Sequence, residues 1–152
     1  MDHISVKSRT GILLNFGKVP IFWSSKLQSE NCLSTLEAEY IALSQGMVEL
    51  VFTRRLVVQL SEHMNFNLYG VSNVSTAWED NIGAQHLVNG KGPIMSSQTK
   101  HIGIKYHWFR EMIQPSTIEI VCIPTKEQRL DIVTKGLTRF PFEHQMKLLM
   151  GW

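Results

Sequence analysis

From Ser34 to Leu60 the sequence contains no proline, and apolar residues recur at steps of three and four. Leu36, Tyr40, Leu43, Met47 and Leu50 mark a single stripe that persists to Leu56. That period belongs to an amphipathic helix laid on a core. Ser34 and Glu37 have the spacing of a capping box, in which each side chain bonds the other's free backbone N–H. The helix is therefore predicted to start at Thr35 and to run to about Leu60. Gly46 costs roughly 1 kcal/mol against alanine there, which close packing on a sheet would justify. Glu39 sits beside the buried stripe rather than opposite it. It is either a solvated flank residue or one wall of an acidic site.

The rest of the chain supplies a sheet. Residues 10–16 and 19–23 read as two strands joined by a tight Gly17-Lys18 connection. Pro20 places the second of them at a rim, since it has no N–H to give a central ladder. Residues 71–78 are predicted as a strand, followed by Glu79-Asp80-Asn81 and a short helix that stops at Asn89-Gly90. A Gly/Pro/Ser loop leads to a helix over 101–113, and Pro115 breaks it. Residues 117–124 form a β-branched strand; Thr125 and Gln128 then have capping-box spacing for a helix running to Leu137. A tail helix is expected over about 142–150. Strands alternating with helices in this way give an α/β fold with a mixed sheet.

The length of 152 residues fits one domain. It comprises a leading segment 1–9, the α/β body, and a tail 138–152. A net charge of +2 is too small to argue for nucleic acid, so any basic footprint must come from clustering. The one such cluster is Lys91, Lys100, Lys105 and Arg110, with His101 and His107 and no acid between them. It could contact phosphates without sequence specificity, or be an ordinary solvated helix face. Cys32 and Cys122 lack CxxC spacing and are expected to be reduced, buried thiols. No apolar run approaches the ~20 residues that span a bilayer, and no signal-peptide core is visible, which favours a cytoplasmic or nuclear, non-secreted chain.

Three acids occupy comparable places: Glu39 in an early helix turn, Asp80 just past a strand end, and Asp131 in a helix following a strand. Ligand sites in open α/β sheets form at the carboxyl ends of strands. Hard oxygen donors there suit Mg²⁺ or Mn²⁺. From spacing alone, a solvated surface role is the leading reading for each acid.

The quoted stretches carry more. Leu33 to Ser44 (LSTLEAEYIALS) resembles the "LSTxEAEYxALS" signature of the ribonuclease H domain of copia-type retrotransposon Pol polyproteins. In order, Lys7 to Gly11 resembles "KSRTG", Trp23 to Gln28 "WxSKxQ", and Asp80-Asn81 with Ala84 "xDNxxA". Thr99 to Ile102 is similar to "TKHI", Ile104 to Glu111 to "IxYHxxRE", and Pro124 to Lys126 with Asp131 to Lys135 to "VPTK…ADIxTK". The resemblance implies a ribonuclease H-like fold and metal-assisted hydrolysis of the RNA strand of RNA–DNA hybrids during reverse transcription. It implies Mg²⁺ or Mn²⁺ as cofactor, with Glu39, Asp80 and Asp131 as metal ligands and Glu37 left to the cap. The implied partners are the hybrid, bound through Lys91, Lys100, His101, Lys105 and Arg110, and an upstream reverse transcriptase domain.

The departures are as informative. The family has a first, central strand bearing an aspartate upstream of "KSRTG", whereas only residues 1–6 precede Lys7 here. The expectation is a sheet lacking that strand, with two open edges and very low activity. Gln98, Gly103 and Leu130 also replace the family's usual Arg, Asp and Ala. A nucleic-acid-binding module without catalysis, or a non-functional remnant, is the alternative.

Overall fold

The computed structural model describes residues 7–32, 34–65, 74–88, 107–114 and 116–150, with only the backbone of residues 87 and 107. Strands β1 (Arg9–Phe16) and β2 (Val19–Leu27) form an antiparallel hairpin. Gly17 makes its turn with φ of 61°, a left-handed conformation that glycine adopts without a Cβ penalty. The register runs from Arg9↔Leu27 to Leu14↔Phe22 and then slips, so that Asn15 faces Pro20. The slip falls where Pro20 has no N–H to offer. β2 continues four residues beyond the predicted Trp23.

Helix α1 (Thr35–His63) begins as the capping box requires. Ser34 is extended, and its Oγ accepts from Glu37 N at 3.2 Å. The helix ends at His63 rather than Leu60. Its buried residues, Glu37, Ala38, Tyr40, Ile41, Ser44 and Met47, all lie in the N-terminal half. Farther on, Val48, Phe52, Leu56, Val58 and Leu60 are exposed, so the apolar stripe is not covered to Leu56 as expected.

Strands β3 (Ser75–Glu79) and β4 (Ile118–Cys122) pair in parallel, from Ser75↔Ile118 to Glu79↔Cys122. Residues 71–73 of the predicted strand lie outside the described residues. Helix α2 (Ile82–Val88) follows β3 directly, with Asn81 Oδ1 accepting from Ala84 N at 3.1 Å. The core gathers Tyr40, Ile41, Met47, Val88, Phe109 and Ile118 beneath α1. The rings of Tyr40 and Phe109 meet at 5.7 Å. Trp108, in a 3-10 turn His107–Met112, donates through Nε1 to Ser44 Oγ at 3.0 Å. That turn is the described part of the helix predicted over 101–113.

The predicted helix 125–137 is not formed. A 3-10 turn, Thr125–Glu127, and helix α3 (Asp131–Thr134) stand in its place. Pro124 occupies the cap position of the first turn and brings no side-chain acceptor, and Gln128 is extended, so the capping box is never made. The tail helix α4 (Arg139–Met150) starts three residues earlier than expected. Pro141 lies in its first turn, where a missing N–H costs no hydrogen bond. Both cysteines are free, as expected, but neither is buried: Cys32 is half-buried and Cys122 exposed.

Among the described residues β1 pairs only with β2, and β3 only with β4. Both sheets touch α1. This is the expected mixed α/β architecture, two small sheets with helices, and it is consistent with a ribonuclease H-like fold. No described helix is long and apolar enough to cross a membrane.

One motif glycine now has a physical role. A Cβ on Gly11 would overlap the Cγ2 of Thr134, whose rotamer is fixed by its Oγ1 donating to Leu130 O at 3.0 Å. Ser25 Oγ donates to Val133 O from the neighbouring strand. α3 therefore rests directly on the hairpin. Gly11→Val is expected to destabilise the fold by about 1–3 kcal/mol through overpacking, measurable as a lowered urea midpoint. An unchanged midpoint would mean that α3 is not seated there.

Candidate acidic site

Three elements each deliver one of the expected acids. Glu39 lies one turn into α1, and the start of that helix is tied to the hairpin by Gln28. The buried Gln28 amide donates through Nε2 to Thr10 Oγ1 at 3.1 Å and to Ala38 O at 2.9 Å. Asp80 follows the last residue of β3, and Asp131 opens α3. All three are half-buried.

Their charges reach one another. Burial pushes the Glu39 carboxyl above its ordinary range, and the charges of Asp80 and Asp131 push the same way. Lys135 opposes them. Its Nζ lies 2.7 Å from Asp131 Oδ1, with the lysine side chain 54% exposed and the aspartate 15%. That hydrogen bond raises the Lys135 pKa first, and Asp131, Asp80 and Glu39 add to the shift.

A further acid stands behind the first three. Glu79, only 6% exposed, is pushed up to about 8, mainly by burial, with Glu39 and Asp80 contributing. The backbone N–H of Asn81, donating to its Oε1 at 3.0 Å, partly offsets this. The sequence reading passed over both Glu79 and Lys135. Their signals were present: Glu79 precedes Asp80 in the quoted motif, and Lys135 lies four residues beyond Asp131, within side-chain reach on a helix.

The donor set is all oxygen, which suits Mg²⁺ or Mn²⁺. Yet among the described residues no three His, Cys, Asp or Glu side chains gather closely enough to hold a metal ion. The three acids share an electrostatic environment with an ammonium instead of closing around one point.

Of the expected nucleic-acid contacts, Lys91, Lys100, His101 and Lys105 lie outside the described residues. Arg110 is described, and its Nε donates to Val88 O at 3.0 Å, tying the 3-10 turn to the end of α2.

Comparison with known proteins gives the chain its context. No family model and no solved structure matches it. Its homologues are retrovirus-related Pol polyproteins of plant transposons. Over 137 residues, 90% of the chain, it is 35% identical to the retrovirus-related Pol polyprotein from transposon TNT 1-94 of Nicotiana tabacum. It is 31% identical over 143 residues, 94% of the chain, to those from transposons RE2 and RE1 of Arabidopsis thaliana. The chain spans only 9–10% of these relatives' length and so aligns with one segment of each.

Proposed function

We propose that this segment is the ribonuclease H part of a copia-type polyprotein, hydrolysing the RNA strand of RNA–DNA hybrids with Mg²⁺ or Mn²⁺. The observation that supports the reading is that Glu39 of α1, Asp80 just after β3 and Asp131 at the start of α3 are all half-buried, and that the Glu39 carboxyl is raised by burial first and then by the charges of the two aspartates. These three are the proposed metal ligands. Lys91, Lys100, His101, Lys105 and Arg110 are the proposed hybrid contacts. A reverse transcriptase domain upstream in the polyprotein and a cytoplasmic or nuclear setting complete the proposal.

The divided sheet favours a second reading, a module that binds nucleic acid without cutting it. Incubating the chain with an end-labelled hybrid and Mg²⁺ or Mn²⁺ separates the two. Slow cleavage that Asp80→Asn lowers by roughly a hundredfold or more supports the nuclease, since active-site electrostatics carry effects of that size. Salt-sensitive binding with no cleavage, in the chain and in a form extended by the segment that precedes the matched region in its relatives, would sink it.

A further inference from the structure

Three of the motif stretches that carry the resemblance meet at the open end of the β1–β2 hairpin. The register sets Arg9 opposite Leu27 and Gly11 opposite Ser25, and these two cross-strand pairs share one face of the ribbon. α3 is seated on that face, with Thr134 over Gly11 and Val133 O accepting from Ser25 Oγ. The Ser25 proton is committed there, so the hydroxyl can only accept from its other side. Arg9 Nη1 donates to it at 3.2 Å, and to Ser25 O at a longer 3.4 Å. One hydrogen-bond chain thus runs from α3 through Ser25 to the Arg9 guanidinium.

Packing accounts for Gly11, Ser25 and Thr134. It does not account for Arg9. The residue is exposed, and among the described residues it pairs with no carboxylate. Its neutral partners hold one nitrogen only, which fixes the group while leaving its charge uncompensated and the rest of the planar N–H fork unengaged among the described residues. Such a fork matches the oxygens of a phosphate. Val133, at the inner end of the chain, is two residues from Asp131 in α3, an axial rise of about 3 Å. Charges on a nucleic-acid strand repeat every ~3.4 Å along its axis. A strand whose phosphodiester reached Asp131 would carry another phosphate past Arg9 within a few nucleotides.

We propose that Arg9, braced by Ser25, is a phosphate contact that positions the backbone of the hybrid across the open end of the hairpin beside α3. The inference rests on the reading of this segment as one that engages RNA–DNA hybrids, and it requires no metal ion. The contact carries no sequence information. Lys26, opposite Thr10, lies on the other face of the ribbon, and Lys18 sits at the far end, in the turn. Neither takes part.

The test is fluorescence anisotropy with a labelled RNA–DNA hybrid in EDTA over a range of KCl concentrations, so that binding is read without cleavage. Arg9→Gln is expected to weaken binding roughly fivefold to tenfold and to reduce the slope of log affinity against log salt by about 1, the signature of one phosphate no longer neutralised. Arg9→Lys keeps the charge and should restore the slope. Lys18→Gln removes an equal charge from the same hairpin and should change neither quantity. An unchanged slope in Arg9→Gln, an equal drop in Lys18→Gln, or no binding of the hybrid by the unaltered chain overturns the proposal. If the slope falls as expected but neither the chain nor its extended form cuts the hybrid with Mg²⁺ or Mn²⁺, the nuclease reading fails and the contact stands. Cleavage together with an unchanged slope in Arg9→Gln means the reverse.

Discussion

Joining the chain to the segment that precedes the matched region in its tobacco relative is expected to raise hybrid cleavage at least roughly a hundredfold, the scale on which a single preorganised active-site group acts. The same extension should raise the melting temperature by on the order of 10 °C. Both gains come from one place. β1 and β3 each use one edge for pairing among the described residues, and both lean on α1. A strand inserted between them would satisfy backbone groups on two edges at about 1 kcal/mol per added bond. By the resemblance, it would also bring an aspartate beside Glu39, Asp80 and Asp131. Cleavage and melting are read on the same preparations. An extension that changes neither would show that the divided sheet is the finished form of the domain.

The second large effect concerns pH. Glu79 is held at about 8 in the folded chain against an ordinary value of 4.5. Between those values the folded state keeps a proton that the unfolded state has released, so stability falls as pH rises. The slope attributable to this carboxyl approaches 1.4 kcal/mol per pH unit mid-window and vanishes above about pH 8. Glu79→Gln keeps an oxygen for the Asn81 N–H but has no proton to lose. It is expected to match the unaltered chain near pH 4.5 and to exceed it in stability at pH 8. Urea unfolding across that range measures the difference; parallel curves for the two proteins would mean that Glu79 is ionised in the fold.

Local chemistry was readable in the sequence, and long-range placement less so. Ser34 and Glu37 announced the start of α1 because the cap is made by residues three apart. Gly17 announced the hairpin for the same reason. Thr125 and Gln128 have identical capping spacing, yet no helix forms, because Pro124 and the extended Gln128 set the backbone differently. A pattern of residue types cannot report backbone angles. The three acids of the candidate site were legible only through the resemblance, since spacing alone left each a plain surface residue. Glu79 and Lys135 were missed although both lie inside quoted motifs. Burial and a neighbouring charge define their roles, and neither is a property of the residue itself. The exposure of Cys122 escaped for a related reason: it shares the face of the core residues Ile118 and Ile120 but stands at the end of β4, where that face is exposed.

That the two sheets share no ladder among the described residues also bears on how the molecule comes together. The β1–β2 hairpin closes across Gly17-Lys18, the short range at which strands pair in microseconds. Partners in the β3–β4 pair, such as Thr76 and Glu119, are 43 positions apart. Closing that longer loop costs roughly 2–3 kcal/mol more in chain entropy. Glu39 and the hairpin belong to the half that forms cheaply, whereas Asp80 belongs to the half that forms late. Among the described residues, α1, which both sheets touch, and α3, which rests on the hairpin, tie the second half to the first. The acidic site is therefore complete only once the two halves have docked.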